Sequence, residues 1–152
     1  MSATDAGKVT MLCTTLVWIK FFITLSVQGS KRFAGGSRPP EDSAYKQGDQ
    51  NYGLGQSTAS DTAKEEDVRW QRIVQNDVEN LPLGLVAMWG ALGYADNEDA
   101  HIAFALIWMV SRILHTVFYA IKIPFPRSVA YILGQISVLG MLINGCVGAF
   151  EQ

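Results

Sequence analysis

Residues 67–80, DVRWQRIVQNDVEN, run without a break into LPLGLVAMWGALGY at residues 81–94. That junction decides the fold. Arg69, Arg72, Asn76 and Glu79 recur at steps of three and four, a spacing that places them on one face of a helix. The helix then enters a stretch apolar enough for lipid. Polar side chains at membrane depth normally face a bundle interior or a wet cavity, so the stripe reads as one wall of a polar ligand site.

The chain on either side of the junction carries the same partition. Its 152 residues suit one domain covering 1–152, and the net charge is −2, which gives no footing for nucleic-acid binding. Charged residues make up 17% and crowd into residues 31–72. Cys13 and Cys146 both fall in apolar runs, without a Cys-x-x-Cys pair or a His/Cys cluster. Neither a disulfide framework nor a metal site is expected, and both cysteines read as small buried residues.

Upstream, residues 9–29 form an apolar run interrupted only by Lys20. The run is too long for a signal-peptide core and lacks a small-residue cleavage site, so it is read as a retained helix. It has the roughly 20 residues that a spanning helix needs. Lys20 near its centre must face other helices or water, or snorkel. Residues 33–65 are rich in Gly, Ser, Asp and Pro and read as a long exposed loop. Pro39 and Pro40 exclude helix there, and residues 48–62 are expected to be its least ordered part. Downstream, Pro82 is expected to kink the second helix. Residues 101–123 carry Arg112, His115 and Tyr119 at three-four spacing, and IPFP at 123–126 reads as a tight break. Residues 127–150 open with RSVAYILGQ, putting Arg127 or Ser128, then Tyr131, then Gln135 on one face.

The expected fold is therefore all-α: an integral membrane four-helix bundle, up-down-up-down, with helices at about 9–32, 66–94, 101–123 and 127–150. The first loop and the 122–127 turn hold nearly all Lys and Arg outside the spans, while residues 95–100 (ADNEDA) hold none. The first loop and that turn are thus expected to be cytoplasmic. Arg32, the 69–79 stripe, the 112–119 stripe and the 127–135 stripe then share one depth on that side. Snorkelling accounts for basic residues at a rim, but not for Asn76, Glu79, His115, Tyr131 and Gln135 one to three turns deep. Each residue alone also fits an internal ion-pair network, with Glu79 paired to Arg72 or Arg112. Taken together, a cationic, donor-rich set suits an anionic, amide-bearing ligand.

These residues also carry a resemblance. RWQRIVQNDVENLP resembles the signature of the MAPEG family, the membrane-associated proteins of eicosanoid and glutathione metabolism, whose form is close to R-x-x-R-x-x-x-N-D-x-E-N. SRILHTVFY is similar to its third-helix motif R-x-x-H-T-x-x-Y, and PRSVAY to its fourth-helix motif. PPEDS resembles its loop motif N-P-E-D, and Lys20 and Arg32 match a lysine and an arginine twelve residues apart. Only residues 48–62 have no counterpart. The resemblance implies a homotrimer in the endoplasmic reticulum or outer mitochondrial membrane, with glutathione between neighbouring subunits near the cytoplasmic side. It implies that Arg32, Arg72, Asn76, Glu79, His115, Tyr119, Arg127, Ser128, Tyr131 and Gln135 contact or frame glutathione. Arg127 would hold the thiol as thiolate, Ser128 would hydrogen-bond the sulfur, and Asp42 and Tyr131 would be lesser contributors.

The implied activity is glutathione transfer to hydrophobic electrophiles within the bilayer, together with reduction of lipid hydroperoxides. The alternatives are a glutathione-dependent prostaglandin E synthase and a non-catalytic lipid-binding scaffold. Gln75 stands where the synthase branch has arginine. Ser43 follows P-E-D where the transferase branch has a reactive cysteine, so activation by thiol modification is expected to be absent.

Overall fold

Helix-capping chemistry sets where the elements begin. A computed structural model of the chain describes residues 4–46, 48–55 and 58–151. It contains α1 (Asp5–Gly35), α2 (Asp61–Leu92), α3 (Glu98–Ala120) and α4 (Pro124–Phe150), with a 3-10 turn at Pro40–Ala44. Among the described residues there is no strand. Each helix starts earlier than the apolar pattern implies, and for α2 and α3 the polar flank supplies the cap. The Ser60 hydroxyl accepts from the Ala63 N–H at 3.3 Å, and Asn97 Oδ1 accepts from the Ala100 N–H at 2.9 Å, so two orphan donors are satisfied. Pro124 does not break the chain but opens α4, where its missing N–H costs nothing. The reversal falls just before it, at Lys122, with φ 67.

The chain gathers into two compact units. The first comprises the residues up to Lys20 and from Asp77 onward; the second is Phe21–Asn76. In the first unit the start of α1, the later half of α2, α3 and α4 form a bundle whose helices alternate in direction. Contacts at one end show the order. Glu98 accepts from the Ala6 N–H at 2.8 Å, Trp89 donates to Thr14 at 2.9 Å, and Asn144 exchanges two bonds of 3.0 Å with the Asn97 backbone. Gly84 has no room for a side chain: a Cβ there would overlap the Trp108 indole. α2 runs as one helix through Pro82, which withdraws only its own donor from the ladder.

In the second unit, the end of α1 lies against the start of α2, where a Cβ on Gly35 would press into the Asp67 side chain. Lys31 and Arg69 both pair with Glu66. The loop folds back on itself. Buried Gln50 accepts from the Arg38 N–H at 3.2 Å and donates to the Phe33 carbonyl at 3.1 Å. Asn51 and Tyr52 donate to the Gly36 and Arg38 carbonyls. The prolines expected to exclude helix instead start the 3-10 turn, since Pro is tolerated in a first turn. Of residues 48–62, Gln50, Asn51 and Tyr52 are held by these bonds, 61 and 62 belong to α2, and 56 and 57 lie outside the described residues.

Burial is inverted relative to a water-soluble protein. Trp18, Phe22, Ile132, Ile136, Leu139 and Ile143 are exposed, whereas Thr10, Asp77, His101, Arg112, His115, Ser137 and Asn144 are buried. Apolar surface turned outward on long helices is what a bilayer stabilises. The protein is an integral membrane protein. Among the described residues, α1, α3 and α4 are long and apolar enough to cross a membrane. α2 was expected to qualify as well. Its apolar part, residues 81–92, is short of the roughly 20 residues a span requires, and the rest of the helix is the charged stripe.

Candidate functional site

Alternation of polar and apolar residues on α3 and α4 builds the site in the first unit. His115 and Tyr119 are one turn apart on α3, and Arg127, Tyr131 and Gln135 rise at four-residue steps on α4. The Arg127 guanidinium carbon stands 4.5 Å from the Tyr119 ring centroid, a cation–π contact. His115 lies with its ring centroid 5.9 Å from Tyr119 and 6.0 Å from Tyr131. Arg127 is half-buried and Ser128 exposed. The Ser128 hydroxyl donates to the Pro124 carbonyl at 3.1 Å, which keeps its oxygen on the first turn of α4 beside Arg127. Gln135 donates to the Asn80 side-chain carbonyl at 2.6 Å. His115 is buried, and its Nδ1 has no hydrogen-bond partner among the described residues. A buried polar atom left in that state is uncommon and marks a place where a ligand donor or acceptor would be stabilised.

Not every expected residue joins this group. Glu79 is exposed on α2. Arg32, Arg72 and Asn76 belong to the second unit, where Arg32 and Arg72 are exposed and Asn76 half-buried. Asp42 is engaged by Arg38 at 3.2 Å.

The carboxylate that matters in the interior is Asp77, which sequence reasoning passed over. The ion-pair alternative paired Glu79 with Arg72 or Arg112; the carboxylate that meets Arg112 is Asp77, at 3.3 Å. Lys20 meets the same carboxylate at 2.5 Å, so it faces other helices rather than snorkelling. A signal was present. Ile73, Asp77, Leu81, Gly84 and Met88 are all buried, so the core face of α2 lies one position round from the polar stripe. A lone carboxylate on a core face requires a cation, and Lys20 is the only charge within residues 9–29.

Beside the group, an apolar groove of about 580 Å³ runs between α2 and α4. Asn80 and Gln135 stand at its polar end, and Leu83, Leu142, Cys146 and Phe150 line it farther along. Cys146 is therefore exposed to the groove rather than buried; only Cys13 is buried as expected. Among the described residues no group of three or more His, Cys, Asp or Glu side chains is placed to ligate a metal. Chemically, the first unit offers a cation, a hydroxyl, two phenols and an imidazole next to an apolar channel. This set can bind an anionic thiol and admit an apolar partner.

The family model described as MAPEG family matches residues 9–146, which include His115, Tyr119, Arg127, Ser128, Tyr131 and Gln135. No curated protein matches the chain.

Proposed function

The chain belongs to the MAPEG family, and from that premise we propose that it is a membrane-bound glutathione transferase. Membership itself makes it a membrane protein of glutathione or eicosanoid metabolism. The observation that carries the finer reading is the first turn of α4. It presents the Arg127 cation and the Ser128 hydroxyl together, with the apolar groove opening at Gln135 farther along the same helix. A cation beside sulfur lowers the thiol pKa and raises the thiolate fraction at neutral pH. Arg127 holds the thiolate, and the Ser128 hydroxyl exchanges its bond to the Pro124 carbonyl for one to the same sulfur.

By the family resemblance, Arg32, Arg72, Asn76, Glu79, His115, Tyr119, Tyr131 and Gln135 contact or frame the tripeptide, and the arginines suit its two carboxylates. In the reaction the thiol proton passes to solvent. The sulfur then attacks the electrophilic carbon, the C–S bond forms, and the leaving group departs as an anion. With a lipid hydroperoxide, two glutathiones are oxidised to the disulfide as the peroxide is reduced to alcohol and water. The protein acts as a homotrimer in the endoplasmic reticulum or outer mitochondrial membrane, with its site toward the cytoplasm.

One observation favours a second reading, a glutathione-dependent prostaglandin E synthase: Ser128, Tyr131 and Gln135 recur in that branch's pattern. Gln75 in place of its arginine weighs against it. Turnover of an aryl halide and of a prostaglandin endoperoxide, each with glutathione, tests the choice. Faster conjugation of the halide is expected. Turnover of the endoperoxide alone would replace the transferase with the synthase, and turnover of neither would leave a scaffold.

A further inference from the structure

Asp77 turns one carboxylate oxygen to each of two cations. Oδ2 accepts from Lys20 Nζ at 2.5 Å, and Oδ1 accepts from Arg112 Nη2 at 3.3 Å. The side chains of Lys20, Asp77 and Arg112 are 9%, 0% and 1% exposed. The Arg112 stem passes Gly134 of α4, where even a Cβ would come within 3.7 Å of its Cδ. His115, at the heart of the candidate site, lies one turn of α3 from Arg112, and its ring stands 5.9 Å and 6.0 Å from those of Tyr119 and Tyr131. The buried triad and the first turn of α4 therefore act on one place.

An Asp–Arg pair by itself is a dipole. At a distance its two charges nearly cancel, and little field reaches beyond the pair. A second cation on the other carboxylate oxygen changes that, because three charges of which two are positive retain a net field. We propose that Lys20 is a positioning residue that acts through Asp77. By engaging the carboxylate, it leaves the Arg112 charge effective toward His115 and Tyr131, where it stabilises the glutathione thiolate held at Arg127. The proposal rests on the transferase reading and adds a second, deeper source of positive potential to it. It also gives a use to the one cation inside the first apolar run, which a purely apolar helix would not carry at that depth.

The test is a pH titration of the thiolate absorbance of bound glutathione, using the full chain in detergent as wild type, Lys20→Met, Lys20→Gln and Lys20→Arg. Removing one positive charge disfavours the thiolate, so the midpoint in Lys20→Met and Lys20→Gln rises by about one pH unit. Glutathione affinity stays within about threefold, and Lys20→Arg returns the midpoint to that of wild type. If Lys20→Met does not fold, Lys20→Gln, which can still hydrogen-bond Asp77, decides the matter. A lowered melting temperature with an unmoved midpoint would reduce the triad to a structural tie and overturn the proposal. A Lys20→Arg midpoint displaced as far as that of Lys20→Met would do the same. Wild type that binds glutathione without a thiolate band would instead remove the transferase reading, and this proposal with it.

Discussion

At the scale of single residues, the interior is governed by the rule that a buried charge is tolerated only when it is paired. Asp77 satisfies Lys20 and Arg112 at once. Asp77→Ala leaves two cations without their shared carboxylate and is expected to cost about 3–5 kcal/mol, read as a lower thermal unfolding midpoint in detergent. Replacing all three by apolar residues of similar volume, Lys20→Met with Asp77→Leu and Arg112→Met, is expected to recover most of that loss. Recovery of stability without recovery of turnover would separate the two roles of the triad. Arg127→Ala removes a charge that the reaction uses, and turnover is expected to fall about 10²–10³-fold while the unfolding midpoint stays near that of wild type.

At the scale of elements, the periodicity of α2 was legible but its phase was not. The three-four spacing of Arg69, Arg72, Asn76 and Glu79 puts them on one face of α2, where Arg72 and Glu79 are exposed. It could not show that the core face runs through Ile73, Asp77, Leu81 and Met88, because one carboxylate on an apolar stripe looks like an interruption until its cation is located. The helix starts were misread for a local reason. Ser60 and Asn97 cap their helices with side-chain oxygens that accept backbone N–H groups, which adds turns with no apolar periodicity to reveal them. Pro124 was misread because a proline both ends one helix and starts the next, and position alone does not say which. Close approach between elements was signalled only by composition. Gly84 faces the Trp108 ring, so Gly84→Ala is expected to cost about 1–3 kcal/mol through overpacking, measured by thermal unfolding in detergent. Gly90, which meets nothing within 4 Å, should accept alanine without loss.

At the scale of the whole molecule, the membrane class was readable because composition alone separates apolar runs from the charged loop. The side chains bear it out, with aromatic and branched residues turned outward and hydroxyls, amides and charges turned inward. The protein is therefore expected to remain with membranes through an alkaline wash and to require detergent to stay monodisperse. A monodisperse sample without detergent would contradict that. The part of the candidate site on α3 and α4 was legible as a set of residue types at helical spacing. What the spacing could not convey was the contrast within the set between buried His115 and exposed Ser128, or the groove that begins at Gln135. Both depend on which helix faces which.

In the proposed chemistry this chain turns glutathione into a thiolate at the first turn of α4. Absorbance of the purified protein in detergent on addition of glutathione at neutral pH tests it most directly. A thiolate band is expected in wild type, and Arg127→Ala abolishes it while the variant remains folded. Glutathione bound to wild type with no thiolate band, or a band that survives in Arg127→Ala, would contradict it.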